Sequence, residues 1–312
     1  MLSYQHAYHA GNHADILKHL VLTGVLASLK KKEKAFTYFD SHAASGLYDF
    51  LDSRAEKTGE SLSGIQLLLQ HKNQLMDYFS KDDFSGSLKL LSDYFSLIEK
   101  YSSKGFYPGS PEIGRLMLRS QDFMLLSELH PVEIENLRHN MLEKTFCPSC
   151  CTHIQIHKRN GYEMLGALTP PQTRRGVVLI DPSYEEVSDY KEAASTISRV
   201  NKKWSNGIIM LWYPLLAHRE NEINQMLEEI KYSVTSVNAN TEITDLRLEV
   251  AAKDSHREIS LKELKEVKDG EKNPPRLYGS GMLVINSPWR LKEDMEALIP
   301  VVEKILKGEV LD

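Results

Sequence analysis

The sequence has few cysteines, no long apolar run and no large excess of one charge. Its three cysteines, Cys147, Cys150 and Cys151, form one cluster and cannot make the disulfide framework of a small secreted domain. No apolar run approaches the ~18 residues that a membrane-spanning helix needs. The polar, His-rich N-terminus also lacks a signal-peptide core. These absences favour a soluble cytoplasmic protein with no membrane association.

The charge balance excludes bulk coating of nucleic acid. The chain has 38 basic and 43 acidic residues, a formal net charge of −5. A histone-like mode of binding needs the opposite sign. Short basic clusters do occur, at 30–34, 157–159, 174–175 and 202–203. Any RNA would therefore bind a local basic face, and salt would weaken that binding.

What the chain does contain is an alternation of short apolar runs and helical patterns. Glycine and proline, 17 and 12 residues, are too scarce for a low-complexity chain. The predicted strands are 36–41, 123–129, 153–157, 176–182, 207–215 and 281–288. Amphipathic helical patterns lie at 131–143, 189–204, 217–230 and 290–306, and Asn12 is a natural N-cap for a helix that ends near Leu29. This alternation predicts an α/β fold with a doubly wound, mostly parallel sheet.

Two segments interrupt the alternation. Residues 48–101 show no convincing strand and read as helical turns, so we expect a small helical insertion after the first strand. The resulting domain boundaries are 1–47 with 102–312 for the main domain and 48–101 for the insertion. Residues 252–275 are charged and contain a double proline, which predicts a mobile surface connection.

Ligands of open α/β sheets bind beyond the carboxyl ends of the strands. The first strand is followed by a run of small residues from Asp40 to Gly46, which would let a ligand approach the backbone. This signal is weak on its own, and a plain strand-to-helix turn is the preferred interpretation. Glu128 ends the second strand. It could accept hydrogen bonds from ribose hydroxyls, or it could simply be favoured by a helix N-terminus.

The fourth strand ends in Asp181-Pro182-Ser183-Tyr184. This resembles the Asp-Pro-Pro-Tyr type of motif found in S-adenosylmethionine-dependent methyltransferases that modify amine or amide nitrogens. A carboxylate and a nearby backbone carbonyl there can orient a weakly nucleophilic amine, and an aromatic ring can stack on an extruded base. Ordinary turn chemistry at a strand end is the alternative.

The N-terminal block from Leu2 to His19 carries a more specific resemblance. With further blocks in the same order along the chain, it resembles the RlmJ (YhiR) family of 23S rRNA adenine-N6 methyltransferases. Those blocks lie at 40–46, 107–111, 128–131, 174–176, 179–182, 211–214, 280–282, 284–286 and 288–289. The resemblance implies a Rossmann-like methyltransferase fold. It also implies methylation of one adenine of 23S rRNA, adenine 2030 in the family, with S-adenosylmethionine as donor and no metal. Free rRNA or an early assembly intermediate would be the partner, with no obligate protein partner.

The resemblance also assigns roles to residues. The residues that it places at the cofactor are Lys18, His19, His42, Ser110, Glu128, Asn160, Gly161 and Asp181. It makes Asp181 the catalytic residue, supported by Pro182 and by Tyr184, which would hold the target base. Tyr4, His6 and His9 would form a lid over the cofactor or the RNA, although a packed N-terminal helix would explain them too.

Three departures from the family pattern bear on activity. Ser183 stands where the family usually has proline, Ala44-Ser45-Gly46 stands where it has Gly-Ala-Gly, and Asn160 stands where it has aspartate. Ala44 is expected to be tolerated with a negative φ. Because the acceptor and the ring remain, we expect an active enzyme. The alternative is a degenerate member that binds S-adenosylmethionine or RNA without efficient catalysis, and methylation of DNA or of a protein glutamine is a third interpretation.

Two clusters could be read as metal sites. His6, His9, His13 and His19 crowd the N-terminus, but Gly11 and Asn12 interrupt the helix that would bring them together. Cys147 and Cys150 with His153 and His157 have a spacing that zinc sites use, although the histidines fall on a predicted strand. We expect neither cluster to hold a metal.

Overall fold

The computed structural model describes residues 5–80, 84–142, 153–252 and 277–311. Its strands are β1 (Thr37–Asp40), β2 (Leu47–Asp49), β3 (Phe106–Pro108), β4 (Phe123–Glu128), β5 (His153–Lys158), β6 (Gly176–Ile180), β7 (Ile208–Leu215), β8 (Ile243–Glu249) and β9 (Gly279–Ile285). Its α-helices are α1 (His13–Lys30), α2 (Ser53–Thr58), α3 (Glu60–Ser63), α4 (Ile65–Gln70), α5 (Lys72–Tyr78), α6 (Ser85–Ser102), α7 (Ser110–Met117), α8 (Pro131–Leu142), α9 (Gly161–Leu168), α10 (Val187–Lys203), α11 (Glu220–Val237) and α12 (Leu291–Leu306). Short 3₁₀ turns span His6–Tyr8 and Ala217–Arg219.

Seven strands form one sheet in the order β5-β4-β1-β6-β7-β9-β8. The first five run parallel, and β9 runs antiparallel to both of its neighbours. The chain moves outward from β1 through β4 to β5 and then returns to β6 on the other side of β1. This reversal makes the gap between β1 and β6 a topological switch point, where α/β sheets bind ligands.

The Rossmann-like, mostly parallel fold predicted from the sequence is confirmed, and all six predicted strands are present. Sequence analysis missed β8, because only alternate residues of this edge strand are buried: Thr244, Leu246 and Leu248. The search for continuous apolar runs could not find a strand with one polar face. The short pair β2 and β3 was also missed.

Helix α1 carries polar residues into the interior. The Asn12 side chain accepts a hydrogen bond from the backbone N–H of Asp15 at 3.1 Å, which confirms the predicted N-cap. The helix packs against β9, α6, α7 and α12, so it is buried along most of its length. Asp15, Lys18 and His19 therefore lie inside the protein, at the end of α1 that is nearest the carboxyl ends of the parallel strands.

The helical insertion is present as α2 to α6, between β2 and β3. These two strands pair antiparallel, with Leu47 opposite Pro108, and close the base of the insertion. Apolar side chains of α4, α5 and α6 belong to the same buried cluster as those of α1 and β1. The division into two domains at 48 and 101 stays a prediction. The predicted connection 252–275 lies outside the described residues except at its first position.

In the part of the chain that the structure describes, no helix combines the length and apolarity needed to cross a bilayer.

The burial of α1 generates a stability prediction. Leu22 is fully buried in the main apolar cluster, whereas Leu62 on α3 is 64% exposed. Leu22→Ala should lower the free energy of unfolding by about 2–5 kcal/mol, because it removes buried methyl groups and leaves a cavity. Leu62→Ala should change it by less than about 0.5 kcal/mol. Urea unfolding of both variants checks this, and equal effects would contradict the placement of α1.

Candidate active site

The ends of four adjacent strands converge at the switch point. Asp40, the last residue of β1, lies level with Leu126 on one side and Leu179 on the other. Glu128 and Asp181 each come two residues further along their strands, so they flank the loop that follows Asp40. Asn160 follows β5 at the outer side of the same edge. The topology therefore brings the predicted site residues of four separate segments to one place.

A buried ammonium group connects α1 to the end of β6. Lys18 Nζ donates to Asp181 Oδ2 at 2.7 Å and lies 2.8 Å from Asp15 Oδ1. The Lys18 side chain is 5% exposed and that of Asp181 is 14% exposed. Burial disfavours the charge of Lys18, but the carboxylates of Asp15 and Asp181 outweigh that cost and raise the pKa of the ammonium. Lys18 therefore stays protonated and cannot act as a base.

Asp15 is the centre of a wider network. Its Oδ2 lies 3.0 Å from His6 Nε2 and accepts from the backbone N–H of Gly11 at 2.8 Å. Burial raises the pKa of Asp15, but the interactions with His6 and Lys18 have the larger combined effect and hold it well below its usual range. This carboxylate therefore ties the N-terminal turn and Lys18 to one ionised group.

His19 is fully buried beside this network. Its Nδ1 lies 2.7 Å from the hydroxyl of Tyr107. Burial lowers the pKa of His19 to about 3, against the opposing effect of Asp15. A neutral imidazole in the interior supports packing and hydrogen bonding and does not contribute a positive charge.

Asp40 is fully buried and bonded to hydroxyl groups. Tyr38 and Ser110 both donate to its Oδ2 at 2.7 Å. Burial raises the pKa of Asp40 to about 6, although the two hydroxyl groups oppose that shift. Ser110 therefore lies next to the end of β1, as the cofactor role requires, but the bond that the structure shows is to a protein carboxylate.

The loop after β1 is fixed by side-chain and backbone bonds. Ser41 Oγ donates to the carbonyl of Leu179 at 3.0 Å, so its lone pair accepts from His42 Nδ1 at 2.8 Å. Burial lowers the pKa of His42 to about 4. Ala44 has a φ of +46°, so the expectation of a negative φ there is wrong. A left-handed alanine costs roughly 1–2 kcal/mol, and it persists because the loop is bonded at both ends.

Glu128 is held by the backbone on both of its oxygens. Oε2 accepts from the N–H of Ala44 at 2.8 Å, and Oε1 accepts from the N–H of His130 at 2.7 Å. Burial raises its pKa, and these backbone bonds oppose the shift. Each carboxylate oxygen has a further lone pair, so the group can still accept from a ligand hydroxyl.

Asn160 and Gly161 have clear local roles. The Asn160 Oδ1 accepts from the N–H groups of Tyr162 and Glu163 at 2.8 and 3.2 Å, so it caps α9. A Cβ at Gly161 would come within 2.0 Å of the Ser41 carbonyl oxygen. Only glycine allows the β5 loop to approach the β1 loop this closely. The cofactor roles of both residues stay predictions.

Tyr184 is buried, with its hydroxyl bonded to the neighbouring strand β7. Only 7% of the residue is accessible, and its hydroxyl donates to the carbonyl of Trp212 at 2.9 Å. The φ of Tyr184 is +52°, an uncommon conformation for a bulky residue, which turns the chain sharply after the buried Pro182. Ser183 between them is exposed. A stacking role for Tyr184 stays a prediction, since this conformation buries its ring.

The N-terminal residues divide between two partners. His6 contacts Asp15 as described, whereas His9 Nδ1 lies 2.9 Å from Glu60 of the insertion. Tyr4 and the cluster Cys147, Cys150 and Cys151 lie outside the described residues. Among the described residues, no three His, Cys, Asp or Glu side chains are grouped as metal ligands.

Sequence reasoning missed Asp15 and Tyr107 as members of the site. The i,i+3 spacing of Asp15 and Lys18, on a helix that the sequence predicts, would have indicated the first. Nothing local indicates Tyr107, which meets His19 from 88 residues away.

A family model described as ribosomal RNA large subunit methyltransferase D, RlmJ, matches residues 33–310. Two curated relatives are both called ribosomal RNA large subunit methyltransferase J. The Escherichia coli K12 protein is 35% identical over 303 residues, which cover 96% of this chain and 92% of that protein. The Haemophilus influenzae protein is 33% identical over 313 residues, with 99% and 95% covered. A crystal structure of a Legionella pneumophila protein superposes with a TM-score of 0.72 at 27% identity, over 96% of this chain and 94% of that one.

The buried histidines generate a testable expectation. His19 and His42 should remain neutral from pH 7 down to pH 5, because burial lowers their pKa values to about 3 and 4. The unfolded chain protonates both near 6.5, so these two residues reduce folding stability as the pH falls below that value. Imidazole NMR chemical shifts of the folded protein measure this, with the urea-unfolded chain as control. Titration of either ring near pH 6.5 in the folded protein would contradict it.

Proposed function

This chain belongs to the RlmJ family of ribosomal RNA large subunit methyltransferases, and on that premise we propose that it methylates 23S rRNA. The proposed reaction transfers a methyl group from S-adenosylmethionine to the N6 amine of one adenine, adenine 2030 of the family. The substrate is free rRNA or an early assembly intermediate. No metal takes part in this proposal.

The observation that carries the proposal is the fixed carboxylate at the switch point. Lys18 holds Oδ2 of Asp181 at 2.7 Å, and no other bond to Asp181 is formed within the described chain. Oδ1 is therefore available as an acceptor on a side chain that is 14% exposed. An acceptor held in place before the substrate arrives needs little reorganisation during the reaction.

The chemistry follows from the properties of the amine. The N6 lone pair of adenine is delocalised into the ring, so the amine is a weak nucleophile. Asp181 Oδ1 can accept one N–H bond and turn the amine toward a tetrahedral geometry, with its lone pair directed at the methyl group. The product amine must lose one proton, and Asp181 is the acceptor because Lys18 stays charged.

The residues at the strand ends fit the proposed cofactor. Glu128 keeps free lone pairs for ribose hydroxyls, and the close contact of Gly161 with Ser41 brings the loop after β5 next to the loop after β1. The set that would hold S-adenosylmethionine is Lys18, His19, His42, Ser110, Glu128, Asn160, Gly161 and Asp181. When bound, it supplies a methyl group made electrophilic by a sulfonium sulfur.

The structure favours an indirect role for Tyr184. Its hydroxyl joins the turn after β6 to the backbone of β7, and its ring centre lies 4.6 Å from that of Tyr190. These contacts hold Pro182 and Asp181 in position, so we assign Tyr184 as a positioning residue in this conformation. Tyr4, His6 and His9 are proposed to cover the bound RNA base.

The catalytic assignment predicts the effect of one substitution. Asp181→Asn should reduce methyl transfer by about 10²–10⁴-fold, because the amide replaces an anionic acceptor. It should weaken S-adenosylmethionine binding far less, because the other seven residues proposed to hold the cofactor are unchanged. Asp93→Asn, which changes a half-buried carboxylate on α6 that pairs with the exposed Lys89, should be neutral. The assay follows labelled methyl transfer to naked 23S rRNA, assembled large subunits, DNA and protein in parallel.

Three results of that assay would overturn parts of the proposal. Transfer at the parent rate by Asp181→Asn would remove Asp181 from the reaction. Labelling of DNA or protein in preference to rRNA would change the substrate. Cofactor binding by the parent protein without transfer to any substrate would favour a degenerate binding protein, and activity gained by Ser183→Pro would support that alternative.

The cofactor assignment predicts a separate effect on binding. Glu128→Gln should raise the Kd for S-adenosylmethionine by about 10- to 100-fold, because a hydrogen bond to a charged group contributes about 1.5–3 kcal/mol. Glu163→Gln, an exposed carboxylate on α9, is the matched control. Isothermal titration calorimetry measures both Kd values, and melting temperatures verify folding. An unchanged Kd for Glu128→Gln would contradict the assignment.

A further inference from the structure

A basic cavity lies at the edge of the sheet opposite to Asp181, where the parallel strands begin. Its volume is about 430 Å³. The residues that line it come from the end of α1, the starts of β6 and β7, and the end of the antiparallel β9: Ser28, Leu29, Lys32, Lys34, Arg174, Arg175, Gly176, Asn206, Ile208, Asn286 and Pro288. The lining includes four cationic side chains and, among the described residues, no carboxylate.

Arg175, which lines this cavity, and Arg119, which lies outside its lining, hold the segment that follows α1. Arg175 donates to the backbone carbonyls of Leu29 and Lys34, the latter at 2.6 Å, and Arg119 donates to the carbonyl of Lys32 at 3.1 Å. Both guanidinium groups lie 5.7 Å from the centre of the Phe36 ring. These arginines therefore fix the segment after α1, and their donors are largely occupied by the protein.

The three other cationic side chains of the lining are not paired with carboxylates in the part of the chain that the structure describes. They are Lys32, Lys34 and Arg174, and all three are exposed. The nearby carboxylates pair with arginines that do not line the cavity: Asp122 with Arg119 at 2.9 Å, and Asp294 with Arg290 at 3.9 Å. Glu33 is the remaining exposed acid of the segment. The cavity therefore presents a local excess of positive charge on a protein of net charge −5.

We infer that the basic cavity binds the phosphodiester backbone of the RNA substrate, as a docking site separate from the catalytic edge. This inference rests on the proposed function and specifies where its substrate is held. Lysine and arginine side chains attract phosphate groups without reading sequence. The cationic side chains come from different segments and are spread along the rim of the cavity. They can therefore contact successive phosphates of one RNA strand.

The distance between the two sites is compatible with one RNA ligand. Gly176 and Asp181 are five residues apart on one strand, about 16 Å at 3.3 Å per residue. Lys18 and Leu29 are eleven residues apart on α1, again about 16 Å at 1.5 Å per residue. A folded RNA that places one extruded base at Asp181 can therefore contact the basic cavity with a neighbouring backbone segment.

Arg174 allows a substitution that should not weaken the fold. Its φ of +52° is a left-handed conformation that asparagine adopts more readily than arginine. Arg174→Asn therefore removes the charge without adding backbone strain. The test variant combines it with Lys32→Gln and Lys34→Gln, and the matched control carries Lys100→Gln, Lys191→Gln and Lys304→Gln, three exposed lysines on α6, α10 and α12.

The experiment measures binding of an in vitro 23S rRNA fragment that contains the target adenine, over a range of salt concentrations. Each lost phosphate contact should lower the salt slope by about 1, so the test variant should lose up to about 3. Its Kd should rise roughly 100-fold at 0.15 M salt, and KM for the RNA should rise with it, with little change in kcat. The control triple should keep the parent salt slope.

Three outcomes would overturn the inference. An unchanged Kd and slope in the test variant would exclude the basic cavity as a docking site, even if the parent protein methylates the RNA. An equal loss of RNA affinity and salt slope in both triple variants would show a general effect of net charge. A lower melting temperature in the test variant, with binding lost in proportion, would make the residues structural. Failure of the parent protein to methylate 23S rRNA would instead refute the proposed function itself.

Discussion

The site depends on one buried ammonium group between two carboxylates. Lys18 joins Asp15, on its own helix, to Asp181, which is 163 residues away in sequence. Removing one member of such a buried network leaves an uncompensated charge and costs about 3–5 kcal/mol. The same contact that positions the proposed catalytic carboxylate therefore also fixes α1 against the sheet, so stability and site geometry are coupled through a single side chain.

This constraint explains why the N-terminal segment is so polar. A helix that covers a sheet is normally apolar on its buried face, yet α1 carries Asp15, Lys18 and His19 in the interior. Each has a polar contact close by, and His6 extends the network to the preceding turn. The resulting arrangement fixes Asp181 through Oδ2, on a side chain that keeps 14% of its surface exposed.

Much of the fold was predictable because it follows from local patterns. Continuous apolar runs predicted the central strands, since strands covered on both faces are apolar throughout. β8 was not predictable in this way because one of its faces is polar. In the candidate site, the Asp-Pro-Ser-Tyr turn pointed to the end of β6, where Asp181 meets Lys18. The role of Asn160 as a helix cap and the positive φ of Ala44 depend on contacts that no short pattern records.

Local sequence patterns were sufficient to predict the element types, the family and the polar residues at the strand ends. Burial periodicity and turn residues are local signals, because they depend only on residues that are close together in the sequence. The contact of Lys18 with Asp181, the burial of Tyr184 and the shared cavity of Arg174 and Lys32 depend on the folded arrangement of the whole chain. The strand order and its reversal beside β1 make those contacts, because they place distant segments at the same edge of the sheet.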